Sequence, residues 1–235
     1  MQTQTAYAER LREINEAIAA AARGAGRDPA EVTLVAVSKY QPVAALQAVH
    51  AVGQADFGEN YIQEALEKQD QIAALALRWH FIGHLQRNKA KFVPGRFDLV
   101  HTVDSLRLAQ MLDKKAAEAG VRQDILLQVN LGGEAQKAGL DPEALWQALD
   151  GVAELPHLRL RGLMTMPPFF NDPKRVRPLF ARLRELRDAA ATRLALALPH
   201  LSMGMSGDFE VAIAEGATLV RIGTRLFGPR PQKSL

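Results

Sequence analysis

Val32-Thr33-Leu34-Val35-Ala36-Val37-Ser38-Lys39 is a run of apolar and β-branched residues that ends on a charged amine, and Tyr40-Gln41-Pro42 closes it. A run of this kind, stopped by a proline turn, reads as a buried strand. A lysine at its end leaves the dry core where a β/α protein opens its active-site mouth. Burial lowers an amine's pKa, and a neutral amine can attack an aldehyde to form a Schiff base. Taken alone, the run favours the plainer reading of a lysine marking the rim of a core strand. Its neighbours decide otherwise.

Downstream, strand and helix signals alternate without a break. A helix over Val43 to Val52 leads to a short strand, Ala55 to Glu59, and a helix from Tyr61 to Ala76. The third strand reads Arg78 to His84, followed by a short helix over Gln86 to Phe92. Leu99 to Val103 is the fourth; Asp104-Ser105 is suited to cap the helix Leu106 to Ala119, and Gly120 to stop it. The fifth, Asp124 to Asn130, precedes a helix that Asp141-Pro142 caps and opens. Leu158 to Met166, His200 to Met205 and Thr218 to Thr224 are the last three, with helices over Lys174 to Leu196 and Phe209 to Glu215 between them. Eight strands separated by helices close a single (β/α)8 TIM-type barrel, here with an additional N-terminal helix over Tyr7 to Arg23. The rival, an open doubly wound sheet, has fewer strands and a glycine-rich turn after the first; this first strand ends in lysine.

The bulk numbers agree with one α/β domain spanning 1–235. Of 235 residues, 48% are hydrophobic, enough for a large core, and 23% are charged, ordinary for a globular protein. Twenty-nine basic residues nearly balance 26 acidic ones, for a net charge of +3, which does not suggest nucleic acid as a partner. Basic runs such as Lys174-Arg175-Val176-Arg177 read as solvated helix faces. Zero cysteines exclude disulfides and thiolate metal sites. No signal-peptide core or run of roughly 18 apolar residues is present, so no membrane association and a cytoplasmic location are expected.

A barrel gathers the C-terminal ends of its strands around one pocket. That set is Lys39, Glu59 with Asn60, His84, Asn130, Thr165 with Met166, Ser206, and Arg221 with Gly223-Thr224. It holds an amine nucleophile, neutral hydrogen-bonding groups and a guanidinium, and no ligand cluster for a metal. Ser202-Met203-Gly204-Met205-Ser206-Gly207-Asp208 is a strand end, a small flexible turn and a helix start, which exposes backbone N–H groups next to a hydroxyl. Gly223 and Thr224 add amides after the eighth strand, where barrels commonly bind phosphate. A Schiff-base lysine on the first strand beside a phosphate cradle on the last two calls for a phosphorylated aldehyde or ketone. Pyridoxal 5′-phosphate (PLP) and a sugar phosphate in an aldolase-like reaction both fit.

Six motifs in order carry a resemblance: Val35-Ala36-Val37-Ser38-Lys39, Phe57-Gly58-Glu59-Asn60-Tyr61, the segment Trp79 to Lys89, Gly162-Leu163-Met164-Thr165-Met166, Leu201 to Ser206, and Val220-Arg221-Ile222-Gly223-Thr224. From Val32 to Gly228 the chain resembles the PLP homeostasis protein family (YggS/PROSC type), single-domain relatives of the alanine racemase N-terminal barrel. The resemblance implies a vitamin B6 cofactor held as an internal aldimine on Lys39. It implies phosphate contacts from Ser206, Gly223 and Thr224, and Arg221 near the pyridine nitrogen. Asn60 and His84 would line the ring, with Met166 and Met205 beside it or simply in the core. A fixed cation at Arg221 disfavours ring protonation and weakens the cofactor as an electron sink. In alanine racemase an opposing tyrosine comes from a second domain; this chain reaches Leu235 soon after the eighth strand and has only Tyr7, Tyr40 and Tyr61. The expectation is therefore a monomer that buffers PLP and delivers it to PLP-requiring apoenzymes, without robust catalysis and with no catalytic residue assigned. A racemase-like enzyme is the alternative. Lys137, in the glycine-rich segment after strand five, fits the family's Asn-x3-Glu-x2-Lys-x-Gly pattern, either as a relay amine or as a solvated loop lysine. Tyr40 departs from the pattern, where a smaller residue such as threonine is common.

Overall fold

The structure, a computed structural model, describes residues 2–133, 138–168, 170 and 172–228. Eight parallel strands close a barrel in chain order, with β8 returning to β1. They are β1 (Thr33–Val37), β2 (Asp56–Glu59), β3 (Arg78–Phe81), β4 (Leu99–Val103), β5 (Gln123–Val129), β6 (Leu158–Thr165), β7 (His200–Ser202) and β8 (Leu219–Ile222). The helices α1 (Gln2–Gly24), α2 (Val43–His50), α3 (Ile62–Gln71), α4 (Leu106–Glu118), α5 (Pro142–Ala153), α6 (Arg177–Leu194), α7 (Phe209–Ala214) and α8 (Thr224–Phe227) surround it. The anticipated caps form: Ser105 and Asp141 accept from the Leu108 and Ala144 amides, and Gly120 stops α4 at φ 66°.

Strand alternation sorts the core into two layers. Val35, Leu99, Leu126, Met164 and Leu219 meet inside the barrel, whereas their strand neighbours pack outward against the helices. One step nearer the mouth the interior turns polar, because His101 and Arg221 share the inward face with Leu99 and Leu219. The N-terminal helix buries Leu11, Ile14, Ile18 and Ala22 at three- and four-residue spacing, and Tyr7 meets Phe227 edge-on. Among the described residues no helix is long and apolar enough to cross a membrane.

Two strands, β3 and β7, end three residues earlier than their hydrophobic runs suggest. After Phe81 the chain passes so close to β2 that a Cβ on Gly83 would lie 2.0 Å from the Asn60 carbonyl oxygen, and Thr102 Oγ1 donates to the Gly83 carbonyl at 2.6 Å. The segment therefore bends away before His84. After Ser202, Gly204 takes φ 93°, a left-handed conformation that ends the strand and lays the turn on α7, where a Cβ would meet Ala212 at 2.7 Å. The stretch expected as one helix from Lys174 divides into a 3-10 turn, Pro173–Val176, and α6, because Pro178 favours the first turn of a new helix.

Candidate functional site

Lys39 follows β1 by two residues, and its backbone is clamped from both sides. Lys68 on α3 donates to the Ser38 carbonyl at 2.7 Å, and Glu64 accepts from the Tyr40 amide. Lys68 also pairs with Glu59 (2.8 Å) and Glu64 (2.7 Å), while Ser38 Oγ donates to Glu59 at 2.7 Å. Burial raises the Glu59 carboxyl above its ordinary value, against the opposing pull of Lys68, and Glu59 Oε2 is buried without a hydrogen-bond partner. Tyr40 holds φ 64°, strained for a non-glycine residue, and its hydroxyl donates to that of Tyr61. This cluster positions the lysine that follows Ser38.

Lys39 lines one small cleft with Val37, Gln41, Gly223, Thr224 and Gly228. Gly223 precedes α8, whose first amides have no acceptor within the helix. A side chain on Gly223 would press on the Val37 carbonyl at 3.1 Å, so the glycine lets the two strand ends meet. Ser206 and Gly207 border a neighbouring cavity of about 170 Å³ with Phe170, Met205 and Asp208. Asp208 accepts from the Met205 amide at 2.6 Å, and burial holds its carboxyl above its ordinary value.

Arg221 is 4% exposed and sits between the ends of β6 and β7. It donates through Nη1 to Ser202 Oγ (2.6 Å) and through Nη2 to the Thr165 carbonyl (3.1 Å). Burial lowers it to about 10, so the guanidinium is still charged at neutral pH. Those two bonds leave several of its five N–H donors for a ligand. Behind it stand two buried histidines: His101 Nδ1 lies 2.7 Å from Ser202 Oγ, and His101 Nε2 lies 2.9 Å from His80 Nδ1.

His101 is fully buried, and burial, followed by the fields of His80 and Arg221, pulls its pKa well below the usual imidazole value. The sign follows directly: below the unfolded pKa near 6.5 the unfolded chain takes up a proton that folded His101 refuses. Stability is therefore complete above about pH 6.5 and lost as the pH falls toward the folded value, by up to about 1.4 kcal/mol per pH unit. Urea unfolding at pH 7.5 and 5.5 should show a smaller acid loss for His101→Gln than for the wild type. Equal losses contradict the assignment.

The expected site residues thus fall in separate places. Lys39, Gly223 and Thr224 line one cleft, Ser206 and the half-buried Met205 line another, and Arg221 is buried against Ser202 and the Thr165 carbonyl. Asn60 and His84 line a separate cleft of about 390 Å³ with Tyr61 and Lys89; His84 is exposed and lies 3.6 Å from Asp104. Asn60 Oδ1 is buried there without a hydrogen-bond partner. Met166 is 46% exposed, at the rim rather than in the core. Lys137 lies outside the described residues. Sequence reasoning passed over His80, His101, Ser202, Lys68 and Glu64. The readable signal for the first three was inward parity on β3, β4 and β7; for the last two nothing distinguishes a clamp from helix surface charge.

The profile of the family described as "Alanine racemase, N-terminal domain" matches residues 10–231. A pyridoxal phosphate homeostasis protein of Pseudomonas aeruginosa is 50% identical over 223 residues, covering 95% of both chains. One from Aquifex aeolicus is 46% identical over 222 residues, covering 94% of this chain and 97% of that one. The structure of PipY from Synechococcus elongatus, solved with PLP bound, superposes with a TM-score of 0.85 at 40% identity, over 94% of this chain and 100% of PipY. An alanine racemase of Clostridium difficile shares the fold at a TM-score of 0.71 and 16% identity, with 97% of this chain covering 58% of the racemase. With near-complete coverage by such relatives, this closed barrel, with its lysine just past the first strand, belongs to the pyridoxal phosphate homeostasis protein family, on the alanine racemase N-terminal domain fold.

Proposed function

We propose that the chain binds PLP at this mouth, holds it covalently on Lys39, and buffers and delivers it to PLP-requiring apoenzymes with little turnover of its own. The observation that carries the reading is the cleft Lys39 shares with Gly223 and Thr224, which sets an amine beside backbone amides suited to a phosphate. A buried guanidinium with spare donors and a serine-bearing turn complete a fit to a phosphorylated pyridine aldehyde. PLP, when bound, supplies an aldehyde that condenses with an amine and a ring that can serve as an electron sink. Lys39 would provide the amine; Ser206, Gly223 and Thr224 would donate to the phosphate; Arg221 would serve the ring nitrogen and disfavour its protonation.

The same cation supports holding over turnover, because an unprotonated ring stabilises carbanions poorly. Catalysis would further need an opposing acid/base. The described tyrosines are engaged elsewhere: Tyr7 packs on Phe227, and Tyr40 bonds to Tyr61 at the rim. Borohydride reduction of PLP-supplied protein, followed by digestion and mass mapping, should place a phosphopyridoxyl group on Lys39; its absence there refutes the reading. Rapid exchange of amino-acid Cα protons with solvent would instead favour the racemase-like alternative. Ser206→Ala removes one donor to the phosphate, worth about 1.5 kcal/mol, so equilibrium dialysis should show roughly tenfold weaker PLP binding.

A further inference from the structure

The inward faces of β2, β3, β4, β7 and β8 carry an unbroken line of polar side chains through the barrel. Asp56 opens β2 at the end away from the mouth, where it receives Arg78 Nε at 2.7 Å and a second bond from Arg78 Nη2. Its Oδ1 also lies 3.0 Å from His80 Nε2. From His80 the line continues at 2.9 Å to His101, at 2.7 Å to Ser202 and at 2.6 Å to Arg221. Each of the four links to Arg221 is 5% exposed or less, save Asp56 at 6%. A polar chain this buried is retained only if its members satisfy one another.

Hydrogen positions along this line follow from its two ends. Burial raises Asp56, but the bonds from His80 and Arg78 outweigh it and hold the carboxyl below its ordinary value, so Asp56 is an acceptor only. His80 must then carry its proton on Nε2. A neutral His80 presents a bare Nδ1, which requires a proton on His101 Nε2. Neutral His101 in turn accepts at Nδ1, and the Ser202 hydroxyl donates to it. That leaves the Ser202 lone pairs for Arg221, which can only donate. With a neutral His80, the opposite polarity would set two lone pairs against each other at His80 and Asp56.

We propose that Asp56, His80, His101 and Ser202 form a one-way hydrogen-bond relay that aims the Arg221 guanidinium at the ligand and sets the protonation of the ligand's ring nitrogen from the far end of the barrel. All four are positioning residues: they act through Arg221 and touch no ligand. The ring-nitrogen part rests on the PLP reading above; the relay itself does not. The negative end at Asp56 polarises each link toward itself, which makes Ser202 Oγ a better acceptor for Arg221 and fixes the orientation of its remaining donors. Arg221 has no carboxylate in hydrogen-bond contact among the described residues, so this line is its principal tether together with the Thr165 carbonyl.

The test separates relay from scaffold. Protein loaded with ring-¹⁵N PLP is titrated by NMR and by visible absorbance in the wild type, Asp56→Asn, Ser202→Ala and Arg78→Gln. Asp56→Asn keeps an oxygen for His80 yet removes the charge; Arg78→Gln breaks the surface pair and leaves Asp56–His80 intact. The relay predicts that the first two move the ring-nitrogen midpoint measurably, by an effect passed along the line and through Arg221, whereas Arg78→Gln, which leaves the Asp56 charge and its bond to His80 in place, moves it less. Wild-type midpoints in Asp56→Asn overturn the proposal, as does an equal shift in Arg78→Gln. If Ser202→Ala does not fold, Asp56→Asn carries the result. If the wild type takes up no PLP, the PLP reading fails separately, and histidine ¹⁵N shifts of the unloaded protein at pH 8 judge the relay. Nε2–H tautomers at both His80 and His101 support it, and an Nδ1–H tautomer at either overturns it.

Discussion

Lys39→Ala protein mixed with excess PLP is expected to yield no phosphopyridoxyl peptide after borohydride reduction and to lack the visible band of the wild type. The loss is complete because no other group in the cleft of Val37, Lys39, Gln41, Gly223, Thr224 and Gly228 is an amine. Reversible binding should survive, because Ser206, Gly223, Thr224 and Arg221 are untouched. Losing the covalent link and a charged contact together is worth at least about 3 kcal/mol, so the dissociation constant rises by roughly a hundredfold or more. Lys39→Arg keeps a cation in place and still gives no adduct, which separates condensation from charge. Lys68 is the informative bystander, since its amine is also buried near the mouth and is engaged by Glu59, Glu64 and the Ser38 carbonyl. An adduct that persists on Lys68 or any other lysine at the wild-type level would remove Lys39 from its assigned role.

Much of this architecture was legible because its signals are local. Caps at Ser105 and Asp141, the stop at Gly120 and the apolar runs of eight strands are each written within a dozen residues. The turn after β7 was legible for the same reason, since strand, glycine turn and hydroxyl follow one another from Ser202 to Asp208. What escaped depends on contacts between distant segments. His101 and Ser202 are about a hundred positions apart and meet only because β4 and β7 face each other across a closed barrel. His84 illustrates the converse: its apolar run continues the strand on paper, but the close approach of Gly83 to the Asn60 backbone turns the chain outward. Parity along a strand says which side chains point inward. It does not say which of them touch.

Lys68→Met should be strongly destabilising. Lys68 is 5% exposed and Glu59 is fully buried, so removing the amine strands a carboxylate with no water to solvate it. Breaking one side of such a pair costs about 3–5 kcal/mol, which urea unfolding would register as a large drop in midpoint. The deficit has a definite pH dependence. Glu59 already sits above its ordinary carboxyl value in the folded state because of burial, so the folded chain holds a proton that the unfolded chain releases. Its contribution is therefore fully present below the ordinary carboxyl value and lost as the pH rises through the folded one. Without Lys68 the folded value climbs further, so the deficit of Lys68→Met should be smaller at pH 5 than at pH 8. Adding Glu59→Gln should restore part of the loss at pH 8 and little at pH 5, since the amide imitates the neutral acid. A deficit that is the same at both values would mean the cost is a packing defect rather than a stranded charge. The clamp also ties stability to ligand geometry, because Lys68 and Glu64 hold the backbone on either side of Lys39. Lys68→Met should thus slow covalent PLP uptake even at temperatures where the barrel remains folded, and uptake at the wild-type rate would confine Lys68 to a structural role.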